Sequence, residues 1–211
     1  MIRLKSIPLN ELILIFAAVS GSIVLLSITY HFWRLGIAPT SSGSGARQLI
    51  IHSVLEQLKE DLSSNSSAYS PTIYELGSGW GGLTFAVADQ VQKYPSLKSQ
   101  TSLKAYELSI VPLLCSKIVL NIYQRLKHIT LPTQISYGDF IEVFDKVNQG
   151  DILICYLCPQ QMQRISKRLQ ANQDPMGVYL ITLTFALPDH DAVLIKPTTN
   201  FYRDPLYFYQ I

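Results

Sequence analysis

Three cysteines in 211 residues are too few for a disulfide framework, and the chain reads as one made for a reducing compartment. No lysine- or arginine-rich block occurs and the formal net charge is only +2, so a nucleic-acid surface is not indicated. No Gly-x-Ser-x-Gly elbow is present, which leaves hydrolase chemistry without support. There is no internal repeat. Charge is missing altogether from Leu12–Trp33, which contains no Asp, Glu, Lys or Arg. A run of that length spans a hydrocarbon core of about 30 Å as a helix. Tyr30, Phe32 and Trp33 cluster at one end, as at a membrane–water interface. The run exceeds the ~7–15 apolar residues of a signal peptide, and Pro39 directly follows the cleavage-like Gly36-Ile37-Ala38. The expectation is an uncleaved membrane anchor over 1–36 (span about 12–33), a flexible joint at 37–45 and one domain over 46–211. Arg3 and Lys5 on one side nearly balance Arg34 and Arg47 on the other, so charge does not assign the orientation.

The positive signals begin at Tyr74-Glu75-Leu76-Gly77-Ser78-Gly79-Trp80-Gly81-Gly82. This stretch follows the breaker-rich Ser63–Pro71 and precedes the apolar run Leu83–Val91, giving the order strand, glycine loop, helix. Glycines let the backbone turn with positive φ and let a ligand approach without meeting a Cβ. The helix that follows offers unpaired N–H groups and the positive end of its dipole. The dinucleotide fingerprint is G-x-G-x-x-G, whereas this loop reads Gly77-x-Gly79-x-Gly81. Glu75, two residues earlier, would repel a phosphate but suits a cationic or amino-acid-like ligand.

Further elements follow in order. Leu103–Glu107 reads as a second strand whose terminal acid can accept hydrogen bonds from both hydroxyls of a ribose. Ile135–Phe140 contains a Gly138-Asp139 turn at the end of a third strand. Asp151–Pro159 is an apolar run entering a proline-started helix, with Tyr156 and Pro159 at its tip. Val178–Phe185 reads as a fifth strand, and Ala192–Lys196 with Leu206–Tyr209 as a terminal antiparallel pair. Helical stretches at Ala46–Leu62, Gly82–Lys93, Ile110–Lys127 and Gln160–Leu169 alternate with the strands, the pattern of a doubly wound α/β sheet. Within Ile110–Lys127, the spacing predicts Val111, Leu114, Ile118 and Ile122 on the inner face. Pro95–Thr101 is expected as a turn.

These motifs in this order resemble the class I (seven-β-strand) methyltransferases that use S-adenosylmethionine. The resemblance implies an α/β, Rossmann-like seven-stranded sheet with helices on both faces, here preceded by one transmembrane helix. It implies a cofactor loop of Gly77, Ser78, Gly79, Trp80 and Gly81 around the methionine portion, with Glu75 near its amino group. Glu107 would hold the ribose, Asp139 would approach the adenine, and Tyr156 and Pro159 would shape the acceptor side. Trp80 stands where that family commonly has a small or acidic residue; it either stacks near the cofactor or packs outward. The membrane span, Ala38-Pro39-Thr40, the Tyr-Leu-x-Pro end of the fourth strand and Thr184-Phe185-Ala186-Leu187-Pro188 narrow the likeness. Together they resemble the membrane-anchored protein-lysine methyltransferases whose animal members modify the ATP synthase c-subunit and the adenine nucleotide translocase. That likeness runs from about Leu12 to Pro188. It implies methyl transfer to a lysine of a membrane-associated protein, from a domain facing the cytosol of a bacterial inner membrane or a mitochondrial matrix. A methyltransferase acting on a lipid, quinone or other small membrane molecule is the alternative, as is a non-catalytic cofactor-binding scaffold. An NAD oxidoreductase is disfavoured by Glu75 and by the loop spacing.

Other constellations carry less. Cys155-x-x-Cys158 reads as small apolar residues at a strand tip, because zinc would need further ligands and Cys115 is the only other cysteine. Asp189-His190-Asp191 reads as a solvated turn after Pro188. No metal site is expected. Thr182–Pro188, with Tyr156, Leu157 and Pro159, is expected to line an acceptor channel.

Overall fold

The computed structural model describes residues 8–35, 44–64, 70–171, 177–197 and 204–211. The chain divides into two compact units, Met1–Ala38 and Pro39–Ile211. The first contains helix α1 (Leu9–Leu35). Its window Leu9–Leu26 has a mean hydropathy of 2.1 and is long and apolar enough to cross a membrane. Leu14, Phe16, Leu25 and Leu26 are all exposed, so this helix is apolar all round, without the polar stripe of a surface helix. The Thr29 hydroxyl donates to the Leu25 carbonyl at 2.8 Å, which satisfies it within the helix. The side chains of Phe32 and Trp33, and residues 37–43 of the expected joint, lie outside the described residues; 44–45 belong to the next helix.

The second unit runs α2 (Ser44–Ser64), β1 (Thr72–Leu76), α3 (Gly82–Val91), α4 (Pro95–Gln100), β2 (Ser102–Glu107), α5 (Ile110–Arg125), β3 (Thr133–Tyr137), a 3-10 helix (Phe140–Asp145), β4 (Ile152–Cys155), α6 (Pro159–Gln170), β5 (Tyr179–Leu183), β6 (Leu194–Pro197) and β7 (Pro205–Gln210). Its seven strands are ordered β3-β2-β1-β4-β5-β7-β6. β1 to β5 are mutually parallel. β7 enters antiparallel beside β5, and β6 pairs antiparallel with β7 as the terminal hairpin predicted from sequence.

Period-two alternation sorts the strand side chains into two cores. Ile73, Leu103, Ala105, Ile152 and Ile154 face α2, α3 and α5. Tyr74, Leu76, Leu153 and Cys155 face the 3-10 helix and α6. β4 is buried at all four positions, as expected of a central parallel strand covered on both faces. Buried Asp151 fixes the entry into the sheet: its carboxylate accepts from Thr72 N at 2.7 Å and from Asn148 N at 2.8 Å.

Two expectations need correction. Pro95–Thr101 is not a bare turn but the short helix α4, started by a proline in its first turn. More consequentially, α5 is rotated relative to its expected face. Pro112, Leu113, Ser116 and Leu120 are the buried side chains, while Leu114, Ile118 and Ile122 are about half exposed on the outside. The helix carries apolar residues on both faces, and the sheet takes the face that brings the short Ser116 side chain against the crowded start of α3. There Ser116 Cβ lies 3.1 Å from where a Cβ on Gly81 would sit.

Candidate cofactor and acceptor site

The carboxyl tips of β1 and β2 meet beside the point where the chain order reverses between β1 and β4, the place where open α/β sheets bind ligands. The loop from β1 to α3 is wound through three left-handed glycines: Gly77 at φ 79, Gly79 at φ 53 and Gly81 at φ 83. It is tied to β2 by Gly77 N and Ser78 N, both donating to the Tyr106 carbonyl at 3.0 and 2.9 Å. A Cβ on Gly77 would sit 2.7 Å from Leu157 Cδ2, and one on Gly81 would sit 2.7 Å from Phe85 Cζ. Those two glycines are required by their neighbours as well as by φ. Around Gly79 nothing lies within 4 Å of a built Cβ. The middle of the loop is therefore open while its two ends are packed, the arrangement needed for a ligand to lie against bare backbone.

Two acids converge here. Glu107, nearly buried at the end of β2, accepts from Gly79 N at 2.7 Å through Oε2 and from Ser109 N at 2.6 Å through Oε1. Each oxygen holds one N–H donor and keeps a second acceptor direction. Glu75 is 4% exposed and accepts from the Thr84 hydroxyl of α3. Burial, opposed by that hydrogen bond and reinforced by the Glu107 charge, pushes its carboxyl up to about 8. At neutral pH Glu75 is therefore largely protonated, and a nearby cation would draw it into the charged form. Ser78 Oγ is buried and has no partner among the described residues. Trp80 sits at the loop tip, 37% exposed.

Asp139 follows β3 as expected, but its carboxylate is engaged. Oδ1 caps the 3-10 helix by accepting from Ile141 N at 3.0 Å, and Oδ2 pairs with Arg164 of α6. Tyr156 is half-buried at the end of β4, packed toward the α2–α3 side. Leu157 is buried against Gly77, and exposed Pro159 begins α6. Cys155 is buried and its thiol is pushed up to about 12 by desolvation, which makes it inert. His190 Nδ1 lies 2.8 Å from the Pro188 carbonyl, within a turn that gathers no metal-binding cluster among the described residues.

The tip of β5 carries strain that sequence reasoning missed. Thr184 has φ 71, rare for a β-branched residue. Phe185 N closes a three-residue turn onto the Leu183 carbonyl at 2.9 Å. The Thr182 hydroxyl donates to the Phe185 carbonyl at 2.8 Å, and the Thr184 hydroxyl is buried without a partner among the described residues. Strain of this kind concentrates at functional edges. Thr84 and Arg164 were missed as well, because each meets its acid only through the fold. A cavity of about 230 Å³ between α2, β5, β6 and β7 includes Tyr179 and Gln210, at the amino end of β5, and so lies away from the strand tips.

No family model and no curated protein sequence matches the chain. Solved structures do. A METTL16 methyltransferase domain lacking its N-terminal segment aligns with a TM-score of 0.53 at 8% identity, over 87% of this chain and 92% of that one. A second crystal form of that domain aligns at 0.52 and 8%, over 87% and 76%. The rRNA methyltransferase aviRa from Streptomyces viridochromogenes aligns at 0.50 and 10%, over 76% and 84%. At these identities the likeness establishes the fold, and the second unit has the seven-stranded methyltransferase fold.

Proposed function

We propose that the chain is an S-adenosylmethionine-dependent methyltransferase that works at a membrane and transfers methyl to a lysine side chain of a membrane-associated protein. The observation that carries the donor site is the pairing of Glu107 with Gly79 N–H beside an open loop centre. The residues fit the donor. Glu107 has acceptor directions left for two ribose hydroxyls. Glu75, neutral when alone, becomes a counter-ion for the α-amino group. Gly79 offers bare backbone to the methionine portion at the open centre of the loop, which Gly77, Ser78 and Gly81 shape and Trp80 flanks. Asp139 keeps one further acceptor direction on each oxygen toward the adenine.

When bound, the donor supplies an electrophilic methyl on a sulfonium. The protein's part is alignment and desolvation. Tyr156 and Pro159 border the acceptor side, with Thr184 and Phe185 across the β4–β5 edge. Holding an amine in line contributes much of the acceleration in such a transfer. Desolvation lowers a lysine's pKa and frees its lone pair, and the Tyr156 ring can attract the cationic group. No general base is required. The α1 helix supports a membrane address, and the need for the donor supports a domain facing the cytosol or the mitochondrial matrix.

The test is radiolabelled methyl transfer into membranes lacking this protein, with the full chain added back beside Glu107→Ala and Gly79→Arg. Label in a protein band, lost in both variants, is expected. Label that extracts into organic solvent would move the substrate to a lipid or quinone. Donor binding without transfer to either fraction would favour a scaffold.

A further inference from the structure

The outward face of α5 has the composition normally kept inside. Ile110, Leu114, Ile118, Ile122 and, at the helix end, Leu126 are 57, 53, 59, 48 and 62% exposed. Exposed Cys115 lies on the same side. Single exposed apolar side chains are ordinary, but a contiguous row marks a contact surface. Along the segment itself the charge is one-sided. From Leu108 to Gly138 the chain has no Asp or Glu, while Lys117, Arg125 and Lys127 stand on or beside the row. Among the described residues none of the three takes part in an ion pair. A second copy of the chain packed here about a two-fold axis would bring the same cations toward one another. An anionic lipid surface instead takes both features, apolar side chains at the acyl boundary and cations at the phosphates.

We propose that α5 docks the catalytic unit onto an anionic bilayer surface, through Ile110, Leu114, Ile118 and Ile122, with Lys117, Arg125 and Lys127 among the headgroups. The inference rests on the membrane-associated reading above. It also restricts the substrate. α5 starts three residues beyond Glu107, so docking holds the ligand-binding edge of the sheet close to the lipid surface and selects acceptors that lie there.

The native Cys115 supplies the test. In the full chain carrying Cys158→Ser, a spin label on Cys115 is followed in phosphatidylcholine vesicles with and without about one-third phosphatidylglycerol. Collision with oxygen, which concentrates in lipid, is compared with collision with a water-soluble nickel chelate. The expected result is preferential oxygen contact in the anionic vesicles, lost in Lys117→Glu/Arg125→Glu and in Ile118→Glu. Preferential nickel contact in the anionic vesicles would overturn the proposal. So would a label shielded from both reagents together with a doubled mass in detergent, which would assign the face to a second copy. Alkaline carbonate extraction reads the anchor separately. Protein stripped by carbonate but showing lipid contact beforehand supports docking and sinks the anchor; protein that resists carbonate but has a water-exposed label overturns docking alone. Protein that never floats with vesicles overturns both.

Discussion

Replacing Glu75 by glutamine should stabilise the protein, and by an amount that grows with pH. Glu75 is buried against the Thr84 hydroxyl, and its carboxyl is raised from 4.5 to about 8. Below pH 4.5 the acid is protonated in both the folded and unfolded chain and costs nothing. Between 4.5 and 8 the unfolded chain ionises while the folded one holds its proton, so stability falls as pH rises through this window. Above 8 the whole difference, about 5 kcal/mol at most, has been lost. Glutamine keeps an oxygen to accept from Thr84 and never ionises. The assay is urea unfolding of the full chain in a non-ionic detergent at pH 5 and pH 8.5. The variant should exceed the parent by less than ~1 kcal/mol at the lower pH and by several at the higher. Equal differences at the two pH values would refute the buried-acid reasoning.

A ligand ammonium beside Glu75 should expel its proton, so donor affinity should tighten as pH rises toward 8, with proton release seen by calorimetry in buffers of different ionisation heat; Glu75→Gln should abolish both. Gly81→Ala should cost ~2–4 kcal/mol, because positive φ and overlap with Phe85 add. Gly79→Ala should cost only ~1 kcal/mol yet weaken donor binding roughly tenfold, since its methyl enters the open centre of the loop. Thermal melts and donor titrations of the pair separate these effects. Lys127 ends α5 at φ 57, with its N–H bonded to Gln124 and that of His128 to Tyr123; Lys127→Gly should raise stability by up to ~1 kcal/mol in urea unfolding. Asp139→Ala removes both a cap and the Arg164 pair and should cost ~1–2 kcal/mol by the same measurement.

Local chemistry made much of this readable. The glycine loop, the acids at the ends of β1 and β2 and the proline start of α6 announce themselves because each is a short-range requirement of turn, strand end or helix start. What escaped depends on the third dimension. In α5 two apolar faces compete, and the one that is buried carries Pro112, Leu113, Ser116 and Leu120, with Ser116 packed close to Gly81. Thr84 and Arg164 look like ordinary helix residues until the fold sets them against Glu75 and Asp139. The positive φ of Thr184 has no residue signature, because glycine or asparagine would be expected there. The insertion of β7 between β5 and β6 cannot be read from strand periodicity, which marks strands but not their neighbours.

The most direct measurement is calorimetric titration of the full chain with S-adenosylmethionine, beside Glu107→Ala and Gly79→Ala. One saturable site is expected, weakened at least about tenfold by loss of the Glu107 carboxylate. No binding by the folded parent, or equal binding by all three proteins, would contradict the assignment of the β1–β2 edge as the methyl-donor site.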